Sequence, residues 1–190
     1  MIFIRPFLKI HYVGKENIPK TGNLIICSNH ISLLDPVLLA MGIKQQIYFM
    51  AKSEFFTEKG FFVKIFMKIV GAFPVKRNTS DIKSVSDAVL LLKHNKKLGI
   101  FPQGRIVKDN NFDMKSGAAL LSIKTQTPVL PVSIYTNGKI GLFSEITVTF
   151  GEPVYPLKNE EKNSVKQARI FTEKIKGQIV AQLEAKHWHQ

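Results

Sequence analysis

Short apolar runs alternating with longer stretches of helical period limit most what this chain can fold into. The runs 24–27, 46–50, 98–101, 129–135 and 146–150 have strand length and bury continuous apolar sequence. Helical spacing is found over 36–41, 60–70, 80–93, 115–124 and 160–185. Regular alternation of the two element types predicts an α/β layered fold, a central mixed β-sheet flanked by helices. Ser80 is the expected cap of helix 80–93, with Val85, Ala88, Val89 and Leu92 on one stripe. The segment 160–185 is expected as a surface helix packed through Ile170, Phe171, Ile175, Ile179 and Leu183. At 190 residues, 45% hydrophobic and 22% charged, the chain is expected to form one domain over 1–190. Disordered, collagen-like and coiled-coil readings are excluded by the same composition.

The charge balance is abnormal, with 27 Lys and Arg against 14 Asp and Glu, a formal net charge of +13. An anionic partner follows. Only Arg5, Arg77, Arg105 and Arg169 are arginines, and compact lysines suit diffuse attraction to phosphate surfaces better than base-edge readout. Nucleic acid is therefore not expected as a partner, and no recognisable binding motif accompanies the charge. A lone cysteine, Cys27, excludes an intrachain disulfide framework and fits a reducing, cytoplasmic compartment. No signal-peptide core precedes Arg5 and Pro6, and no apolar run approaches the ~18 residues needed to span a bilayer.

After the buried run 24–27 the polarity changes abruptly at Ser28-Asn29-His30, and Asp35 and Pro36 follow. Ligands in open α/β sheets bind at the carboxyl ends of strands, which places His30 where chemistry is done. Five residues apart, His30 and Asp35 meet only if a turn lies between them. Asp35 is also suited to cap the helix that Pro36 begins. Together they form a general-base dyad, since a neutral imidazole takes an alcohol's proton and the carboxylate fixes its tautomer. Alternatively each is structural, a histidine after a strand and a cap before a proline. Cys27 as nucleophile is disfavoured, because its apolar strand raises a thiol pKa.

Asn29-His30-x-x-x-x-Asp35-Pro36 resembles the first signature block of the glycerophospholipid acyltransferases, the 1-acylglycerol-3-phosphate (lysophosphatidate) acyltransferase family. Gly71-Ala72-Phe73-Pro74-Val75-Lys76-Arg77 resembles the second block, Phe101-Pro102-Gln103-Gly104 the third, and Val129 to Ile134 the fourth. The matching blocks cover about 13–151, leaving the surface helix at about 160–186 outside them. The resemblance implies transfer of a fatty acyl group from acyl-CoA or acyl-carrier protein to the free hydroxyl of 1-acylglycerol 3-phosphate, giving phosphatidic acid. Within it, His30 is the expected base and Asp35 its orienter. Substrate contacts are expected from Asn29, Arg77, Gln103, Gly104, Arg105 and Pro131, with Arg77 on the phosphate. No cofactor and no metal are implied. The third block departs from the family's Phe-Pro-Glu-Gly-Thr-Arg-Ser, having Gln103, Arg105, Ile106 and Val107 in place of Glu, Thr, Arg and Ser. A different lysolipid or alcohol acceptor, and a catalytically silent basic lipid binder, are the alternatives that this departure opens. A hydrolase using His30 to activate water is a third.

The expected partners are thus an acyl thioester, a lysophospholipid and an anionic membrane surface, with the chain peripheral at the cytoplasmic face. Residues 44–77 hold seven of the 14 phenylalanines and seven cations against Glu54 and Glu58. In 61–70, Lys64 and Lys68 share a narrow stripe on an apolar helix, the pattern of an interfacial segment. His187 and His189 at the tail make an incomplete metal site and are given no role.

Overall fold

The computed structural model describes residues 8–52, 65, 71–75, 82–107, 113–138, 140–141, 143–156 and 164–187. Seven strands form one sheet: β1 Lys9–Val13, β2 Leu24–Ser28, β3 Ile47–Lys52, β4 Ala72–Val75, β5 Lys97–Ile100, β6 Val129–Thr136 and β7 Glu145–Phe150. Among the described residues four α-helices are bounded with them: α1 Asp35–Ile43, α2 Ile82–Lys93, α3 Gly117–Thr125 and α4 Ser164–His187. The strand order is β1-β7-β6-β2-β5-β3-β4, and every pairing is parallel except β6 with β7. The expected α/β architecture with a mixed sheet is the one that forms.

β2 lies at the centre, and all five of its residues are buried. A strand covered on both faces needs apolar side chains at every position rather than at alternate ones, which is why 24–27 is continuous. Ile25 and Cys27 point into the layer closed by Ala88 and Leu92 of α2, Ala119 of α3 and Ile175 of α4. Leu24 and Ile26 point to the other face, against Leu38 and Leu39 of α1. Burial pushes the Cys27 thiol from 9.0 up to about 12, so it stays protonated and packs as a small hydrophobe.

Several expectations need correction. The alternating strand β1 and the short strand β4 were not foreseen as strands. On α2, Ser84 is buried beside Ala88 and Leu92 whereas Val85 is 45% exposed, so the apolar stripe is rotated toward the serine. On α4, Ala168, Phe171, Ile175, Ile179 and Leu183 are buried, and Ile170 faces solvent. The expected cap Ser80 and the segment 61–70, with Lys64 and Lys68, lie outside the described residues apart from Ile65, which is helical and exposed. No helix among the described residues is long and apolar enough to cross a membrane.

Candidate active site

Two loops at the carboxyl ends of adjacent parallel strands meet at His30: one follows β2, the other follows β5. The first is anchored by Asn29, which is 3% exposed. Its Nδ2 donates to the Ile134 carbonyl at 2.9 Å and its Oδ1 accepts the Ile134 N–H at 2.7 Å. The side chain thereby continues the β2–β6 ladder after the β2 backbone has turned away. The second loop holds His30 by its backbone. The His30 N–H donates to Gln103 Oε1 at 2.6 Å, and the His30 carbonyl accepts the Val107 N–H at 2.8 Å.

The imidazole is fixed on two sides. Its Nδ1 lies 2.7 Å from Asp35 Oδ2, with the His30 side chain 16% exposed and the Asp35 side chain fully buried. One ring face stacks on Phe101, with centroids 4.1 Å apart and planes 19° apart, and Phe101 stacks in turn on Phe49. The same Asp35 oxygen accepts the N–H groups of Ile31 at 2.7 Å and Ser32 at 2.9 Å. These bonds close the turn that the five-residue spacing requires. An oxygen receiving that many donors is an ionised acceptor, which assigns the Nδ1 proton to the histidine and leaves Nε2 as the free lone pair.

Asp35 is not the helix cap that its place before Pro36 suggests. The cap position is Leu34, Asp35 is the first helical residue, and its carboxylate turns back to the loop. Asn29 was expected to touch substrate, but both ends of its carboxamide are joined to Ile134. Gln103 was likewise expected at the acceptor; it is 8% exposed, with Oε1 on His30 and Nε2 buried without a partner among the described residues. Gly104 has a φ of 70°, the left-handed conformation that lets the loop reverse after Pro102 and Gln103. Arg105, one residue on, is exposed to solvent. Pro131 stands apart: it is buried in β6 opposite Cys27, between residues of the face under α3 and α4, while His30 stacks on the other face. Its carbonyl accepts the Gly151 N–H at 2.8 Å. Arg77 lies outside the described residues. Among the described residues no three His, Cys, Asp or Glu side chains gather as a metal site would require.

Phe101 and the His30-bonding role of Gln103 escaped the sequence reading. Their one sequence signal is that both stand within three residues of the end of a strand.

Known proteins share this arrangement of chain. A 1-acyl-sn-glycerol-3-phosphate acyltransferase of Borreliella burgdorferi is 29% identical over 184 residues, covering 93% of this chain and 72% of the relative. Another protein of that name, from Bacillus subtilis, is 29% identical over 191 residues, covering 98% of this chain and 92% of the relative. The crystal structure of the 1-acyl-sn-glycerophosphate acyltransferase of Thermotoga maritima superposes with a TM-score of 0.66 at 26% identity, over 93% of this chain and 73% of that one. The family model described as Acyltransferase matches residues 9–135, a span that contains both loops meeting at His30, and the chain belongs to that family.

Proposed function

We propose that this acyltransferase moves a fatty acyl group from acyl-CoA or acyl-carrier protein to the free hydroxyl of 1-acylglycerol 3-phosphate, forming phosphatidic acid. The observation that supports it most directly is the His30–Asp35 pair, with Nδ1 held by a buried carboxylate and Nε2 left to accept a proton. In the step, Nε2 takes the hydroxyl proton as the oxygen attacks the thioester carbonyl carbon. The tetrahedral adduct collapses with cleavage of the C–S bond, and the leaving thiolate recovers the proton from the imidazolium. Asp35 stabilises that imidazolium while it lasts. No covalent acyl-enzyme is needed, because the thioester is already activated and the hydroxyl is held in place.

Asn29 and Gln103 act as positioning residues for His30, through Ile134 and through the histidine's own N–H. Arg77, and Arg105 on its exposed loop, are assigned to the acceptor phosphate, for which a guanidinium offers paired donors. Gly104 permits that loop's path, and Pro131 supports the sheet beneath the site. The reaction calls on no resident cofactor or metal. Residues 1–190 work as one catalytic domain, peripheral at the cytoplasmic face, where the net charge of +13 favours an anionic bilayer.

Radiolabelled palmitate presented as each thioester, with lysophosphatidate in anionic vesicles, tests the reading. Product is expected from at least one donor and is expected to vanish in His30→Ala; Arg105→Ala should raise the apparent KM for the acceptor. Folded protein that forms no product with either donor would overturn it. The sequence Gln103-Gly104-Arg105-Ile106 favours one second reading, an acceptor other than lysophosphatidate. Transfer to a different lysolipid, with lysophosphatidate inert, would establish that instead.

A further inference from the structure

Three loops around His30 each display a large apolar side chain to water. Leu33, in the loop after β2, is 53% exposed, Ile106 in the loop after β5 is 39% exposed, and Phe143 in the connection from β6 to β7 is 73% exposed. The topology puts them at one end of the molecule. β2, β5 and β6 are mutually parallel, so all three loops leave from the same edge, and antiparallel β7 begins there beside Phe143. His30 lies among them, its carbonyl bonded to the residue after Ile106.

Phe143 is the telling member. Its φ is 66°, a left-handed conformation costly for a ring-bearing residue and ordinarily given to Gly or Asn. The other non-glycine residues in that region among the described residues, Lys44, Asn95 and Gln126, sit in the turns that end α1, α2 and α3, where a left-handed residue closes the helix. Phe143 ends no helix; it stands in a tight turn closed by the Ser144 N–H on the Gly141 carbonyl at 3.2 Å. That turn accounts for the left-handed backbone but is best served there by glycine, and packing does not account for a phenylalanine ring held 73% exposed.

Cations surround the same edge. Lys9 begins β1 opposite Glu145, Arg105 precedes Ile106, and Lys115 is tied by its N–H to the Pro102 carbonyl at 3.2 Å; all three are exposed. Among the described residues two acids are also there: Asp113 is exposed, and Glu145 is bonded to His11 at 2.8 Å. We infer that this rim seats the protein on an anionic lipid bilayer. Leu33, Ile106 and Phe143 enter the interfacial layer, and Lys9, Arg105 and Lys115 meet the head groups. A bilayer receives apolar tips on separate loops in any arrangement, whereas a protein partner requires one continuous complementary face. A second copy of this chain would bring a second charge of +13 against the first. So seated, His30 opens toward the plane in which a lysophospholipid lies. That last consequence rests on the proposed function, while the seating itself does not.

The test is the full chain carrying Trp188→Phe and Phe143→Trp, mixed with vesicles of equal parts phosphatidylglycerol and phosphatidylcholine. Blue-shifted emission, quenched when the lipids carry brominated acyl chains, is the expected result. In parallel, Phe143→Gly should raise the melting temperature by relieving the left-handed strain while weakening vesicle partition about tenfold. Ile106→Ser should weaken partition in the same direction. The inference is overturned if the introduced tryptophan stays unquenched while the protein sediments with vesicles, or if Phe143→Gly partitions like the parent. It is overturned too if acyl-carrier protein, and not lipid, shifts the emission. Quenched protein that transfers no acyl group to any acceptor would sink the proposed function and leave the rim standing; active protein without quenching would do the reverse.

Discussion

Asp35 Oδ2 gathers three hydrogen bonds, from Nδ1 of His30 and the N–H groups of Ile31 and Ser32, whereas Oδ1 has no partner among the described residues. The carboxylate therefore does two jobs, shaping the loop and placing a negative charge beside the imidazole, and a substitution can separate them. In Asp35→Asn an amide oxygen in the place of Oδ2 can still accept from the backbone and from Nδ1, but it carries no charge to stabilise the imidazolium. We expect kcat to fall on the order of 10³-fold or more with the melting temperature little changed. A variant that keeps kcat within a few-fold would refute the assignment. Gln103 offers a cleaner separation. Gln103→Leu strands the buried His30 N–H and should cost about 1–3 kcal/mol of stability together with activity. Gln103→Glu supplies the acceptor again and should recover both, as thermal melts and initial rates would show. The dyad could be anticipated from sequence because His30 and Asp35 are five residues apart and a single turn joins them. The bonds from Asn29 to Ile134 and from His30 to Gln103 span 105 and 73 residues, and depend on β6 and β5 flanking β2. Nothing local reports that order.

At the scale of elements, the interior strands were legible and the edges were not. β2, buried on both faces, leaves an uninterrupted apolar run, but β1 at one edge alternates Lys9 and His11 with Ile10 and Tyr12 and reads as a polar segment. β4 at the other edge contains Pro74, tolerable where a strand is paired on one side by β3 and misleading to a reading that treats proline as a breaker. Gly99 raises the opposite difficulty, a glycine in a central strand where a β-former is expected. The ring of Phe49, its partner in β3, lies over it so closely that an added Cβ would collide with the ring. Phe49 supports Phe101, which supports His30. Gly99→Ala is therefore predicted to act on the site through the stack. It should cost about 1–3 kcal/mol from overpacking and lower kcat, though residue 99 has no part in the chemistry. Unaltered kinetics in a variant with lowered melting temperature would show that the stack tolerates displacement and does not position the imidazole.

The whole molecule's stability should carry the mark of one buried cation at the end of the sheet away from His30. Lys97 opens β5 between Leu24 and Ile47, is 3% exposed, and has Nζ 3.3 Å from the Gly22 carbonyl. That single long bond replaces little of an ammonium's hydration, and burial lowers its pKa from 10.5. Below the lowered folded value both folded and unfolded chains hold the proton, so the desolvation cost is present in full. As pH rises through the lowered folded value toward 10.5, the native state sheds a proton that the unfolded chain keeps, and stability increases. Cys27 works against this above pH 9.0, where the unfolded chain loses a thiol proton that the native state retains up to about 12. A difference between two proteins that share Cys27 removes its effect. Lys97→Met keeps the length of the side chain and discards the charge, and should be the more stable protein at about pH 7 by about 1 kcal/mol. Its advantage should narrow as the pH is brought toward about 10 in parallel urea titrations, because only the parent gains from losing a proton. An advantage that stays constant across that range would mean that the Lys97 ammonium remains hydrated in the native state. The gain would then come from packing alone.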